Sequence, residues 1–469
     1  MKTRLLGLLW MAAAVLAAAC SVSSKYVRTE LKVPEVYREA LPLTGDSLQL
    51  SYKNFFTDPH LLALIDSALA QNLDVGRALK TMEQLDLMFK EAKHSLMPTV
   101  DLNMGANRNW VSKRSLNGSL TEQFTGNPYL DDYNIALQIS WEADIWGKAK
   151  LQKDVALHDY FSQRENLVAL KTRIVAQVAQ AYYNLLGLDQ QLRITQENIA
   201  LSRHTVQLLR LQFTSGQVNA LAVQQAEAQL KTAELLLPLT QQQISVQENA
   251  LTILMGDYPK AITRSTAMVY ALGMDTFSRG VPADLLSRRA DLKAAEYAVI
   301  SLNAKTGLAK IAMYPALSIT PQLGLNSYTF NHWFDLPGSL TKTLAANLTQ
   351  PILQKRRLKT AYQSALLDQE KAALNFKQVF LQAVAEVSDA LAKSKGAEER
   401  LKLVQARTES LDQSTIDAIK LFKSGMATYL EVIVAQSNKL QNDLEYQGIV
   451  LDKLNAELEL YRALGGGID

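Results

Sequence analysis

Residues able to do covalent chemistry are few in this sequence, and their spacing argues against turnover. The five histidines (His60, His94, His158, His204 and His332) are widely separated, leaving no pair at metal-ligand spacing. There is no Gly-x-Ser-x-Gly, no phosphate-cradling Gly-rich loop ending in Lys, and no His-Glu-x-x-His. No catalytic residue, metal site or cofactor is therefore expected. Arg288, Arg289 and Asp291 set two guanidinium groups beside a carboxylate, a group better suited to a structural ion-pair network than to a ligand site. Lys148, Lys150, Lys355, Arg356, Arg357 and Lys359 lie near the starts of two helical stretches, where positive charge opposes the helix dipole. With a formal charge of +3 and dispersed basic residues, the chain carries no nucleic-acid footprint.

The elements that must position these residues occur twice. Phe213, Ser215, Gly216, Leu221, Val223 and Ala226 recur 209 positions later as Phe422, Ser424, Gly425, Leu430, Val432 and Ala435. Nearer the start the offset is 217, with Asp74, Ala78, Ala92, Lys93 and Pro98 opposite Asp291, Ala295, Ala309, Lys310 and Pro315. The first copy thus holds an extra loop of 217 minus 209, or 8, residues between Pro98 and Lys148. Such a period is far too long for a solenoid unit, so the chain reads as two structural repeats, residues 56–262 and 275–469.

Ahead of the repeats, Lys2 and Arg4 precede an apolar run from Leu5 to Leu16 and then Ala17-Ala18-Ala19-Cys20. This is the pattern of a signal peptide over residues 1–19. Cys20, the only cysteine, can form no intrachain disulfide. Its position resembles the lipobox of bacterial lipoproteins, whose thiol is acylated after cleavage, although Ala17 stands where Leu is usual. Ser21 resembles the residue that sorts such proteins to the outer membrane. Residues 20–55, with Pro34 and Pro42, read as a lipidated extended tail. Past the leader no run of 18 apolar residues remains, so no transmembrane helix is available.

Within each repeat the hydrophobic period changes in the same order. Pro59 to Leu96 and its counterpart Pro282 to Met313 carry apolar residues at helical spacing. Two hairpins follow, at about residues 98–142 and 315–351. In the first, Val100, Leu102 and Met104 alternate with Asp101, Asn103 and Gly105, and Tyr133, Ile135 and Leu137 alternate with Asn134, Ala136 and Gln138. In the second, Leu317, Ile319 and Leu323 alternate with Ser318, Thr320 and Gln322, and Leu340, Leu344 and Leu348 face away from Thr341, Thr343 and Asn347, with Lys342 the exception. One face apolar and one small and polar is the pattern of strands between lipid and water. Aromatics gather at the hairpin ends as an interfacial girdle would: Trp110, Phe124, Tyr129 and Tyr133, then Tyr328, Phe330, Trp333 and Phe334. Four strands cannot close a membrane barrel, so several copies must contribute. Helices of some 70 residues come next, from Ala143 to about Thr214 and from Ile352 to about Lys423, with return helices after Gly216 and Gly425, the first interrupted by Pro238. The basic residues at the helix starts then fall just below the barrel, where lipid headgroup phosphates are the expected contact.

The chain resembles the outer membrane factor family of tripartite efflux systems, TolC-like and closer to its lipoprotein branch. The resemblance rests on Asp284-Leu285-Leu286-Ser287-Arg288-Arg289-Ala290-Asp291, Ala294-Ala295-Glu296, Tyr314-Pro315, Trp141-Glu142-Ala143-Asp144-Ile145-Trp146-Gly147, and Gly425 with Tyr429-Leu430-Glu431-Val432. Ala290 departs from a usual proline, and Leu353-Gln354-Lys355-Arg356 from an acidic, glycine-rich turn. The resemblance implies a mainly α fold with β: a homotrimeric outer-membrane β-barrel, four strands per chain, continuing into a long periplasmic α-helical barrel. It implies a passive conduit in an efflux system that exports small molecules, lipid-anchored in the outer membrane, with a periplasmic adaptor and an inner-membrane pump docking at the tip turns Ser215, Gly216, Ser424 and Gly425. It also implies a pore constriction at Leu430, Glu431 and Val434, although the acid often found at the last of these is missing. The residues by themselves leave open a lipid-anchored periplasmic coiled-coil adaptor or a structural envelope protein.

Overall fold

The computed structural model describes residues 26–28, 51–112, 114–265 and 288–467. The leader, Cys20, most of the expected tail and residues 282–287 lie outside the described residues. The described residues divide into two compact units, one holding residues 26–28, 83–112, 114–161 and 297–374, the other residues 51–82, 162–265, 288–296 and 375–467.

The first unit is built on a four-stranded antiparallel sheet, β1 (Thr99–Trp110), β2 (Tyr129–Ala143), β3 (Ala316–Ser327) and β4 (Leu340–Thr349), in that spatial order. Alternation put the apolar residues on one face, and pairing joins them across all four strands. Leu102 lies opposite Leu137, Leu137 opposite Leu323, Ile135 opposite Leu325, and Leu317 opposite Leu348. The other face pairs Asp101 with Gln138, Gln138 with Gln322, and Ser318 with Asn347. Lys342 interrupts the apolar face opposite Leu323. In the first hairpin partner numbers sum to 239 (Trp110 and Tyr129) and in the second to 665 (Leu325 and Leu340). The difference, 426, equals 217 plus 209, so the two hairpins share one register. The extra eight residues consequently lie between Trp110 and Tyr129, where the helix α4 (Leu116–Thr125) forms.

Single-chain exposure shows what this sheet lacks. Leu102, Met104, Leu344 and Leu348 are each more than 60% exposed, so the apolar face has no protein cover within one copy. Both β1 and β4 are open edges. At the hairpin ends Tyr133 packs on Phe330 and Trp333 at 5.5 and 5.6 Å, and Arg108 lies over the Tyr129 ring while bonding Asp131.

The second unit is helical. Its first elements are α1 (Tyr52–Phe55), α2 (Pro59–Gln71) and α3 (Leu73–Lys93, continuing into the first unit). The expected tail ends sooner than residue 55: Phe55 and Phe56 are fully buried, and Phe55 stacks on Tyr461 at 4.5 Å. Burial of two phenylalanines ties this segment into the core. The helical stretch from Pro59 is not continuous either. Asn72 breaks it, its Oδ1 capping the Asp74 and Val75 N–H groups.

The long helices are α5 (Lys148–Thr214), α6 (Ala220–Leu254), α8 (Arg357–Lys423) and α9 (Tyr429–Ala463), with α7 (Ala290–Ile311) ahead of β3. Every boundary of α8 and α9 lies 209 positions after that of α5 and α6. The expected interruption at Pro238 does not occur, and α6 runs through it for 35 residues. Pro238 removes one N–H and crowds the preceding turn at a cost of roughly 3 kcal/mol, which is offset in a helix held along its length by a neighbour. Ion pairs fix the antiparallel register: Arg203–Glu234 and Arg210–Glu227 in the first helical pair, and Lys393–Glu459, Arg400–Asp452 and Arg407–Glu445 in the second. The cationic partners recur every seven residues, the period of a coiled-coil flank.

Candidate functional site at the helical tips

Both tips close by the same backbone device. Gly216 donates to the Phe213 carbonyl (3.0 Å) while Gln217 reaches Gln212 (2.8 Å); Gly425 donates to Phe422 (3.1 Å) while Met426 reaches Leu421 (2.9 Å). These are paired Schellman closures, and the glycine φ values of 73° and 75° place both in the left-handed region. Ser215 and Ser424 turn their hydroxyls back onto helix carbonyls. The return helices are then capped differently. Asn219 accepts from the Ala222 N–H at 3.0 Å, whereas Thr428 accepts from the Leu430 N–H and donates its hydroxyl to the Glu431 carboxylate.

The two tips share one apolar cluster of Val206, Leu209, Ala222, Ala226, Phe422 and Val432. Phe213, the counterpart of buried Phe422, is 47% exposed. Leu430 and Val434 are about half exposed, and Glu431 is exposed between them. The three therefore stand on a side that one chain leaves uncovered. The Thr428 hydroxyl holds the Glu431 carboxyl below its ordinary range, so it is ionised throughout the neutral region. The Tyr429 hydroxyl donates to Gln225 Oε1 at 2.5 Å, tying the second tip to the first.

In the Arg288-Arg289-Asp291 group, elsewhere in this unit, Arg289 and Asp291 are held together. Arg289 is 6% exposed and bonds both Asp291 oxygens (3.0 and 2.6 Å), Glu386 (2.7 Å) and the Ala463 carbonyl (3.2 Å). Arg462 adds a second bridge to Glu386 at 3.2 Å. Burial disfavours the Arg289 charge, but the two carboxylates outweigh it and its pKa rises. Its role is to clamp the end of α9. Asn72, which lies 217 positions earlier, does the same for the first return helix, its Nδ2 donating to the Leu254 carbonyl at 2.8 Å. Leu254 and Ala463 are 209 apart. Asn72, Glu386 and the carbonyls were not singled out from sequence, although the 217 offset alone would have paired Asn72 with Arg289.

Comparison with known proteins places this architecture. A family model described as outer membrane efflux protein matches the chain twice, over residues 64–257 and 281–466. The chain belongs to that family. This outer membrane efflux protein is 29% identical to the pyoverdine export outer membrane protein OpmQ of Pseudomonas putida, over 88% of this chain and 87% of the relative. It is 25% identical to the cation efflux system protein CusC of Escherichia coli, with 96% of each covered. Among solved structures, a membrane protein from Pseudomonas aeruginosa superposes with a TM-score of 0.86 at 25% identity, covering 96% of this chain and 98% of that one. The efflux protein is a channel of the outer membrane that extends into the periplasm, and it is not an enzyme. Among the described residues no helix is long and apolar enough to cross a membrane.

Proposed function

We propose that three copies of the chain assemble, their sheets closing into a 12-stranded barrel and their helices into a tunnel that receives cargo from a periplasmic adaptor and an inner-membrane pump. The observation that carries this reading is the four-stranded sheet with two open edges and an uncovered apolar face. Open edges are a liability unless another strand pairs with them, and an apolar face needs lipid. Closure answers the first need and the bilayer the second. Acylation of Cys20 adds an anchor, and a single lipid anchor is weak unless the folded body supplies membrane contact of its own.

On this reading the chain comprises two structural repeats, about 56–262 and 275–469, and the tips are the docking and gating end. Leu430, Glu431 and Val434 of each copy form the constriction. Ala222 is the counterpart of Glu431, so a trimer carries three gate carboxylates rather than six. The turns at Ser215-Gly216 and Ser424-Gly425 present rigid backbone to an adaptor, since the serine hydroxyls are already engaged. Relatives carry names as different as pyoverdine export and cation efflux, which suits a conduit whose cargo is selected upstream. The test is to purify the full chain from membranes and measure heat-modifiable migration and single-channel conductance. Trimers that conduct are expected. A monomer without conductance would overturn the assembly.

A further inference from the structure

The turns that lead from strand to long helix occupy equivalent places in the two halves but differ in charge. Residues 141–150 hold Glu142 and Asp144 against Lys148 and Lys150, a net of zero. Residues 350–359 hold Lys355, Arg356, Arg357 and Lys359 with no acid, a net of +4. In the first turn Lys148 bonds both Glu142 oxygens at 2.9 Å. The position equivalent to Glu142 is Pro351, and among the described residues none of the four cations of the second turn has an ion-pair partner.

Two further observations say what these cations face. Ile352 and Leu353, directly before them, are 91% and 87% exposed. They follow the end of β4, whose apolar residues Leu344 and Leu348 are 76% and 68% exposed. Apolar surface running into unpaired cations is the profile of a membrane interface, with acyl chains against the first and phosphates against the second. Lys355 and Arg356 also hold φ values of 48° and 62°, where the equivalent of Arg356 in the first half is Gly147 at 76°. Long basic side chains thus stand at left-handed positions that glycine fills more easily.

We propose that the β4-to-α8 turn binds an anionic glycerophospholipid of the periplasmic leaflet, with Ile352 and Leu353 against its acyl chains and Lys355, Arg356, Arg357 and Lys359 on its phosphate. The proposal rests on the reading of the sheet as a lipid-embedded wall. A lipid rather than free phosphate is the occupant because phosphate would give no cover to the two apolar side chains. Of the six cations near the helix starts, the four of the second turn carry the binding, since Lys148 is already paired with Glu142.

The test titrates phosphatidylglycerol or phosphatidylethanolamine into the detergent-solubilised full-length channel and counts bound lipid by native mass spectrometry. Phosphatidylglycerol is expected to bind more tightly than phosphatidylethanolamine. Each cation near an anionic headgroup contributes roughly fivefold, so K355G/R356G should weaken phosphatidylglycerol binding by roughly 25-fold. That variant removes charge while relaxing two left-handed residues, so loss of fold is not its expected effect. K148Q should leave the preference intact, and millimolar inorganic phosphate should not displace the lipid. Equal affinity for the two lipids, an unaltered K355G/R356G, or full displacement by phosphate would overturn the proposal. Conductance and heat-modifiable migration of the same preparations report the channel reading separately, because they need no lipid preference.

Discussion

The two halves of the second unit repeat the same helices and the same clamps, yet they make them with different chemistry. At the clamp, the first half uses the neutral Asn72 on the Leu254 carbonyl, and the second uses the charged Arg289 on Ala463 together with Asp291 and Glu386. A second contrast lies on the return helices, where Glu248 and Glu457 are equivalent positions. Glu248 accepts from Arg264 Nη1 at 2.5 Å, and Arg264 also bonds Asp189. Glu457 is 4% exposed with no hydrogen-bond partner among the described residues, and burial pushes its carboxyl up to about 7. Shared backbone thus sets where a contact is made, while the side chain decides how much its removal costs.

The largest effect should come from breaking the charged clamp. Arg289→Ala takes the guanidinium from Asp291, Glu386 and the Ala463 carbonyl at once, and although Glu386 keeps Arg462, the loss should be roughly 2–4 kcal/mol, against roughly 1–3 kcal/mol for Asn72→Ala, which leaves one carbonyl unsatisfied. Thermal unfolding followed by helical circular dichroism checks the order. Equal losses would mean that the ion pairs add nothing to the hydrogen bond.

The glutamate pair should differ in sign as well as size. Glu457 has a folded pKa above its unfolded value of 4.5, so the folded state keeps a proton that the unfolded chain gives up. Its contribution therefore turns unfavourable as pH rises from about 4.5 to about 7, and levels off above. Glu457→Gln should stabilise by roughly 1–3 kcal/mol at pH 8 and by little at pH 4.5. Glu248→Gln, which deprives Arg264 of a partner, should destabilise at pH 8. Unfolding midpoints of both variants at the two pH values decide it, and a pH-independent Glu457→Gln would contradict the burial argument.

Smaller effects belong to the tips. Gly425→Ala forces an alanine to a φ of 75° and should cost on the order of 1 kcal/mol, with Gly216→Ala matching it because the two closures are alike. Glu431→Gln should leave stability nearly unchanged while reducing cation preference in bilayer conductance, and the wild-type preference should persist at mildly acidic pH because Thr428 keeps the carboxyl ionised. Unchanged reversal potentials would remove Glu431 from the constriction.

Much of this is legible in the amino-acid sequence. Alternation of Leu102, Met104 and Leu137 with Asn103, Gly105 and Gln138 gave the two faces of the sheet, because strand period is a local property. The tip glycines were legible for the same reason. Pro238 misled, since propensity is local but the support that lets α6 continue comes from the neighbouring helix. Arg289 was recognised as part of an ion-pair group, yet Glu386 and the Ala463 carbonyl lie 97 and 174 positions away and nothing local pointed to them. Lys148 and Arg357 looked alike in sequence, and only the placement of Glu142 separates them.

Closure of the barrel by identical copies is the claim on which the rest depends, and the internal repeat fixes its register. Strands β2 and β3 pair with partner numbers summing to 460. Moving β2 forward by 209 gives β4 and moving β3 back by 217 gives β1, so β4 of one copy should meet β1 of the next at a sum of 452. Ala345 then lies opposite Asn107 and Ala346 opposite Ala106, and one of these neighbouring pairs is the non-hydrogen-bonded kind that suits a disulfide. Cysteine pairs at 345 and 107, and at 346 and 106, should yield on mild oxidation a trimer that survives boiling in SDS. If neither pair joins copies in membrane-inserted, conducting material, the proposed closure is wrong.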